Sequence, residues 1–175
     1  MDIYSKPLKH LWDADVIVVG SGSAGSSAAI AAARTGADTI LVERFGYMGG
    51  TSTQVLDTFY GFYTPGSVAY KVVGGVPDDV VTALKGYNAA FERPNTYGAG
   101  MGVTYDPEAL KVLWERVAAD SGVRRLYHTF CAGVERDGER GGGLIVANKR
   151  GIGVIRGRVF VDASGDADLC HWAQI

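Results

Sequence analysis

Residues 15–43 read DVIVVGSGSAGSSAAIAAARTGADTILVE, and this stretch decides the fold. Its first apolar run, over 16–19, ends at a turn that holds three glycines, and an alanine-rich segment follows. A second apolar run, over 40–42, ends at the acid Glu43. The order predicts a strand, a glycine turn, a helix, a second strand and a carboxylate, which is the arrangement of a dinucleotide-binding unit.

Each part of this unit has a mechanical reason. Gly20 permits a tight turn out of the strand, where a side chain would clash. Gly22 lets the backbone approach a pyrophosphate, and Gly25 lets the helix pack closely against the sheet. The amides at the helix start, among them those of Ser23 and Ala24, can bind phosphate. A carboxylate at Glu43 can accept hydrogen bonds from ribose hydroxyls.

A lone G-x-G-x-x-G pattern is weak evidence in a chain with 25 glycines. Here the preceding strand, the following helix and the distant acid all agree with it. The helix also has a small face, since Ala29 and Ala33 lie four residues apart, as close packing requires. The alternative is a buried strand and an alanine-rich helix whose glycines serve packing alone, but it leaves Glu43 unexplained.

Composition sets broad limits on the function. The 175 residues predict one domain, and 47% hydrophobic residues with a net charge of −2 are ordinary for a soluble globular protein. No basic excess favours nucleic acid or an anionic membrane surface. The two cysteines, Cys131 and Cys170, make no disulfide framework, and no spacing predicts a metal site. We therefore expect a cytoplasmic protein without a signal peptide or a membrane span.

The rest of the chain divides into four parts. Residues 1–14 are expected as an N-terminal extension that packs on a partner or folds back on its own domain. In the 44–53 segment, Gly49 and Gly50 precede small hydroxyl residues, which suits a loop along a phosphate or ribityl chain, or a plain surface turn. Residues 54–104 are expected as a loop-rich insertion with one helix around 76–91.

The last part contains a second clear helix and a meander. Asp106 is the predicted N-cap and Gly122 the end of this helix, with a strand over 123–129 after it. Short β segments over 132–136, 144–147 and 153–156 predict an antiparallel meander. A return strand over 158–162 then stops at ASGDAD, a second glycine turn at the carboxyl end of a strand.

Two glycine turns with a meander before the second make this chain resemble the two-dinucleotide-binding FAD-dependent oxidoreductases, which are related to the fumarate reductase flavoproteins. The matching segments are VIVVGSGSAG with Glu43 and Arg44, then GYMGGTST, YDPEALKVLWE and VFVDASGDAD. The resemblance implies an α/β fold: a Rossmann-like FAD-binding domain over 15–175, with a parallel sheet and an antiparallel β-meander crossover.

The resemblance also implies a cofactor, FAD, and the residues that bind it. The first turn and the Gly-Gly loop would hold the pyrophosphate, Glu43 the adenosine ribose and the 131–132 backbone the adenine, while the second turn would close over the adenosine and phosphate side. The implied cofactor-binding residues are Gly20, Gly22, Ser23, Ala24, Gly25, Glu43, Arg44, Gly49, Gly50, Thr51, Ser52, Cys131, Ala132, Ala163, Ser164, Gly165 and Asp166.

Members of this family continue well beyond this length, with a substrate domain and a late segment at the isoalloxazine ring. We therefore expect a split enzyme, in which a second polypeptide supplies the substrate domain and the isoalloxazine surroundings. The alternatives are a stand-alone or truncated FAD-binding module without turnover, and an NAD-binding dehydrogenase or regulatory domain.

The expected chemistry is hydride transfer from a small organic substrate to FAD, with the cofactor carrying the reaction. A histidine is the usual base in such a site, and the chain has three, His10, His128 and His171. His128 lies on a predicted strand, where a structural role is expected. No catalytic residue is assigned from the sequence, because the base can lie on the partner.

Overall fold

The computed structural model describes residues 7–55, 58–66, 68–94, 101–137 and 140–175. These residues form a six-stranded sheet and a three-stranded sheet with five helices. In chain order the elements are β1 (Lys9–Val19), α1 (Ser23–Arg34), β2 (Thr39–Val42), α2 (Thr51–Gln54), β3 (Phe59–Tyr60), α3 (Val76–Gly86), β4 (Ala90–Arg93), β5 (Gly102–Tyr105), α4 (Pro107–Asp120), β6 (Arg124–Leu126), β7 (Phe130–Asp137), β8 (Arg140–Asn148), β9 (Gly151–Asp162) and α5 (Asp168–Ala173).

The large sheet has the order β6-β2-β1-β9-β8-β7. Its first four strands are parallel, and β9, β8 and β7 form the predicted antiparallel meander. Val19 at the end of β1 aligns with Val42 on one side and with Asp162 on the other. The carboxyl ends of the central strands therefore meet at one edge, where open α/β sheets bind ligands. This architecture confirms the predicted fold class.

The first strand starts earlier than its apolar run indicates. β1 begins at Lys9, so residues 9–14 of the expected extension pair with β9 instead. Leu11 and Trp12 pack against a core cluster of their own domain. Polar residues such as His10 and Asp13 hide this half of the strand from sequence reasoning. Tyr4, expected on the same extension, lies outside the described residues.

The 54–104 insertion is more regular than expected. β3, β5 and β4 form an antiparallel sheet in it, and α3 begins at Val76 as predicted but ends at Gly86. Asn88 has a φ of 55°, which turns the chain into β4 where the helix was predicted to continue. Within this segment the ring centroid of Tyr60 lies 5.1 Å from that of Phe62, in a stacked arrangement, and 4.5 Å from that of Tyr105.

The helix α4 follows its sequence prediction closely. The side chain of Asp106 accepts hydrogen bonds from the amides of Glu108 and Ala109, at 2.8 and 3.2 Å. This N-cap satisfies two of the amides that a helix start leaves free. Leu110, Leu113 and Trp114 are buried on its inner face and pack with α1 and α3 above the sheet.

The meander differs in one respect from the prediction. Segments 153–156 and 158–162 were expected as separate strands, but β9 is one continuous strand. It continues because it has two partners: its first half pairs with β8, and almost its whole length pairs with β1. The polar sequence Arg156-Gly157-Arg158 therefore lies inside a strand.

No helix among the described residues is long and apolar enough to cross a membrane.

Candidate functional site

A crevice of about 380 Å³ opens at the carboxyl edge of the parallel strands. Both glycine turns, the end of β2 and the start of β7 contribute to its walls. Its volume lies in the range of small-molecule sites. The lining residues are Val19, Gly20, Ser21, Gly22, Val42, Glu43, Arg44, Phe45, Gly50, Thr51, Gln54, Val55, Thr129, Phe130, Cys131, Ala163, Ser164, Gly165, Asp166 and Asp168.

The three glycines of the first turn have different surroundings. Gly20 has a φ of 93°, and a Cβ there would lie 2.2 Å from the carbonyl oxygen of Ala163. A Cβ on Gly25 would lie 1.9 Å from the carbonyl oxygen of Gly20. A Cβ on Gly22 would meet nothing within 4 Å. Gly20 and Gly25 are therefore required by the fold itself, whereas Gly22 leaves open space at the crevice.

The helix α1 starts at this open glycine. Gly22 is its N-cap and contributes no side-chain hydrogen bond, and Ser23 and Ala24 in the first turn are exposed. A helix of 12 residues carries a positive partial charge at this end, together with amides that have no partner inside the helix. The crevice therefore offers main-chain donors to an anionic group, which suits a diphosphate.

The Gly49-Gly50 loop lies directly against the first turn. The amide of Gly49 donates to the carbonyl oxygen of Ser21 at 2.8 Å, and Gly22 and Gly49 form an isolated parallel bridge. A Cβ on Gly50 would lie 2.7 Å from the Cα of Gly22. Both glycines also have positive φ, 115° and 55°. The two backbones approach so closely that only glycine fits at position 50.

Glu43 is buried at the tip of β2, with 5% of its surface exposed. Its Oε2 accepts from the amide and the hydroxyl of Ser21, at 2.8 and 2.6 Å. Its Oε1 accepts from the amide of Phe45 at 2.7 Å. A buried carboxylate needs such donors, because burial without them is costly. The predicted ribose-binding acid is thus held in one orientation at the crevice.

The second turn is held together by Asp162. Its Oδ1 accepts from the amide and hydroxyl of Ser164, at 3.1 and 2.6 Å, and its Oδ2 accepts from the amide of Cys170 at 2.9 Å. Burial opposes ionisation of this carboxyl, but these hydrogen bonds prevail and hold its pKa below the ordinary value. The hydroxyl of Ser164 also accepts from the amide of Asp168, at the start of α5.

The start of β7 forms another wall of the crevice. The amide of Thr129 donates to the carbonyl oxygen of Glu43 at 3.0 Å, which fastens this segment to the end of β2. Phe130 is 58% exposed and lines the crevice. Burial raises the pKa of the Cys131 thiol, and a hydrogen bond to Asp162 raises the pKa of the Cys170 thiol. Both thiols are free, and a raised pKa makes them weak nucleophiles.

The crevice brings together most of the residues predicted from the sequence. Those that line it are Gly20, Gly22, Glu43, Arg44, Gly50, Thr51, Cys131, Ala163, Ser164, Gly165 and Asp166. Of the others, Gly25 packs under the turn, Gly49 and Ser52 are buried beside it, and Ser23, Ala24 and Ala132 lie outside the lining.

Sequence reasoning missed several lining residues, above all Ser21, Thr129 and Phe130. Ser21 stands inside the quoted motif, and a serine between two glycines before a distant buried acid is a signal that could have found it. Thr129 and Phe130 carry no such signal, because their place depends on the turn that joins β6 to β7.

The three histidines lie away from the crevice lining. His128 is in the turn after β6 with a φ of 50°, and its ring packs against Gly46, so the predicted structural role suits it although it is not on a strand. His171 is exposed on α5, and the Nε2 of His10 lies 3.1 Å from Asp13. No group of three or more potential metal ligands occurs within the described parts of the chain.

Known proteins are similar to this chain in sequence over part of its length and in fold. Over 96 residues this chain is 36% identical to 4-oxocyclohex-2-ene-1-carboxylate 5-dehydrogenase from Sinomonas cyclohexanicum. The match covers 55% of this chain and 15% of that protein. The structure of THI4 from Thermovibrio ammonificans is similar with a TM-score of 0.62 and 18% identity, over 93% of this chain and 62% of that one.

A flavocytochrome c3 fumarate reductase is similar with a TM-score of 0.60 and 20% identity, over 86% of this chain and 33% of that one. The chain thus spans less than two thirds of these relatives. The family model for the FAD dependent oxidoreductases matches residues 15–175. This confirms the predicted cofactor, FAD, over the NAD alternative, and the chain belongs to the FAD dependent oxidoreductase family.

Proposed function

We propose that this chain is the FAD-binding part of an oxidoreductase that transfers a hydride from a small organic substrate to FAD. In this proposal, polypeptide beyond these 175 residues, in the form of a second subunit, completes the active site. The observation that carries the proposed FAD binding is the crevice beside Gly22, where open space meets the start of α1, which has no side-chain cap. We also propose a cytoplasmic location.

Different residues of the crevice bind different parts of the cofactor. The first-turn amides of α1 and the backbone at Gly22 and Gly50 bind the diphosphate. The carboxylate of Glu43 accepts hydrogen bonds from the adenosine ribose. Residues 131–132 lie beside the adenine, and residues 163–166 close the adenosine and phosphate side. When bound, FAD supplies the flavin ring that accepts the hydride.

The base is the group that this crevice lacks. Its lining contains no histidine, lysine or tyrosine within the described residues. Of its three carboxylates, Glu43 already receives three hydrogen bonds. Asp166 and Asp168 lie on the turn assigned to the adenosine and phosphate side. In the proposed arrangement, the base near the flavin ring lies on the second polypeptide.

The name of one relative supports a proposal for the substrate class. That protein is a dehydrogenase of 4-oxocyclohex-2-ene-1-carboxylate. We propose that this chain serves a dehydrogenase of the same kind, which removes hydrogen from the carbon next to a ring ketone. The base on the second polypeptide would take the proton from the carbon next to the ketone, the hydride would pass from the adjacent ring carbon to the flavin, and a carbon–carbon double bond would form between the two carbons.

Binding is tested by titrating the purified chain with FAD and, separately, with NAD. We expect FAD to bind and to be retained through gel filtration as a yellow protein, because flavin absorbs visible light. NAD is expected to leave the melting temperature unchanged. A chain that is stabilised by NAD and ignores FAD would contradict the proposal.

The two-part arrangement needs a separate test. The FAD-loaded chain is mixed anaerobically with 4-oxocyclohex-2-ene-1-carboxylate, alone and after co-expression with the polypeptide encoded next to it. We expect bleaching of the flavin absorption only in the co-expressed complex. Bleaching by the chain alone would disprove the need for a second polypeptide, and no bleaching in either sample would favour a module without turnover.

A further inference from the structure

We propose that Ser21 is a positioning residue, whose buried hydroxyl fixes the carboxylate of Glu43 in the orientation that accepts a hydrogen bond from the adenosine ribose. This inference rests on the proposed function, and it gives a role to a residue that the glycine pattern leaves undefined. Ser21 lies between Gly20 and Gly22 at the end of β1, and 0% of its surface is exposed.

Ser21 makes two contacts with the same carboxylate oxygen. Its amide donates to Oε2 of Glu43 at 2.8 Å, and its hydroxyl donates to that atom at 2.6 Å. Main-chain geometry fixes the amide, but the hydroxyl is present only because residue 21 is a serine. Short hydrogen bonds to a carboxylate are among the stronger ones in proteins. A different small residue would keep the turn and lose this second contact.

The number of donors determines what remains for a ligand. An ionised carboxylate offers about four acceptor positions. The two contacts from Ser21 and one from the amide of Phe45 at 2.7 Å fill three of them. Glu43 therefore presents about one free acceptor position to the crevice that it lines. Its direction is set by Ser21, because two hydrogen bonds to one oxygen leave the carboxylate little freedom to rotate.

The carbonyl oxygen of Ser21 holds the Gly49-Gly50 loop and α1 in place. It accepts from the amide of Gly49 at 2.8 Å and from the hydroxyl of Ser26 at 2.8 Å. One buried residue thus joins the acid at the tip of β2, the Gly-Gly loop and the first turns of α1. The hydroxyl contacts the acid, whereas the carbonyl oxygen contacts the loop and α1, so a substitution that removes the hydroxyl leaves the contacts of the carbonyl oxygen in place.

The experiment compares two ligands on matched variants of the full chain. The ligands are FAD and its analogue with 2′,3′-dideoxyadenosine, which lacks both ribose hydroxyls. The variants are Ser21→Ala, the near-isosteric Ser21→Cys and the control Ser26→Ala. Ser26 is equally buried and also loses a hydroxyl hydrogen bond, but it does not contact Glu43. Dissociation constants are measured by calorimetry, and folding is followed by thermal melting.

We expect the wild type to bind FAD about tenfold more tightly than the analogue, since a hydrogen bond to a charged group has about this value. Ser21→Ala should reduce this preference to about twofold, and Ser21→Cys should lie between, because a thiol is a weak donor. Ser26→Ala should keep the full preference. If Ser21→Ala does not fold, the same reduction in Ser21→Cys decides the question.

A merely structural serine would lower the melting temperature and leave the preference for the ribose hydroxyls at its wild-type value. That result would overturn the inference and leave the proposed function standing. Failure of the wild type to bind FAD at all would instead contradict the proposed function, and the inference with it. Failure of the inference is therefore seen in the Ser21 variants, and failure of the proposed function is seen in the wild type.

Discussion

The two glycine turns of this molecule follow neighbouring parallel strands, and they use their hydrogen-bond donors differently. In each turn a carboxylate accepts from the amide and the hydroxyl of one serine: Glu43 from Ser21, and Asp162 from Ser164. Glu43, however, comes from the adjacent strand, whereas Asp162 ends the strand that leads into its own turn.

This difference decides what each turn leaves for a ligand. In the second turn, Asp162 also accepts from Cys170, and Ser164 accepts from Asp168, so the turn satisfies the start of the short helix α5 internally. In the first turn the carboxylate faces the crevice, and the start of α1 has no side-chain cap. The two glycine patterns are similar in sequence, so the pattern alone does not tell which turn binds phosphate. The hydrogen-bond partners of the amides in each turn distinguish the two.

The largest expected effect separates the glycines within the first turn. Gly25→Ala should lower the free energy of unfolding by about 3 kcal/mol or more, because its Cβ would lie 1.9 Å from a carbonyl oxygen. Gly22→Ala should change it by less than about 0.5 kcal/mol, because the space there is open. Urea denaturation of both variants measures the difference, and equal destabilisation would show that the two glycines are not distinct.

The next effect compares the two carboxylates. Glu43→Gln places an amide NH₂ group against one of the three donors, and we expect a loss of about 2 kcal/mol in the free energy of unfolding. Asp162→Asn should cost about 1 kcal/mol, because Asp162 is only partly buried. Chemical denaturation at neutral pH gives both values, and a larger loss for Asp162→Asn would reverse the ranking.

The pH dependence sharpens the comparison for the second turn. The pKa of Asp162 is lowered in the folded state from its ordinary value of 3.8. Its contribution to stability is therefore fully present above that value and is lost as the pH falls through the lower folded pKa. The stability difference between wild type and Asp162→Asn should be constant from pH 7 to about 5 and should shrink below about 4.

The control for this titration is Asp166→Asn, which removes an exposed carboxylate from the same turn. At neutral pH its stability difference from wild type should be near zero, because the carboxylate is exposed. A difference for Asp162→Asn that grows in acid would mean that the folded carboxyl is protonated more easily than the unfolded one, contrary to the hydrogen bonds it receives.

Sequence reasoning reaches the parts that depend on local pattern. The order of β1, α1 and β2 follows from apolar runs and glycines, and α4 follows from the Asp106 cap and an apolar stripe. The start of β1 at Lys9 and the unbroken course of β9 depend on pairing with distant strands, which polar residues in those strands conceal. The small sheet of the insertion is concealed in the same way.

The candidate site shows the same division. The backbone roles of Gly20 and Gly25 follow from the motif, since steric limits are local. The role of Ser21 does not, because its partner Glu43 is 22 residues away and only the folded sheet shows which donors it already receives. Thr129 and Phe130 join the wall through the contact of Thr129 with the end of β2, which no spacing in the chain predicts.

The most direct test of the central claim is FAD titration of Gly22→Val, with Gly86→Val as the control. Both glycines have open space where a Cβ would lie, but Gly86 ends α3 away from the crevice lining. If main-chain amides at the first turn bind the diphosphate, Gly22→Val should melt close to the wild type and no longer retain FAD, while Gly86→Val retains it. A folded Gly22→Val chain with wild-type affinity for FAD would contradict the account.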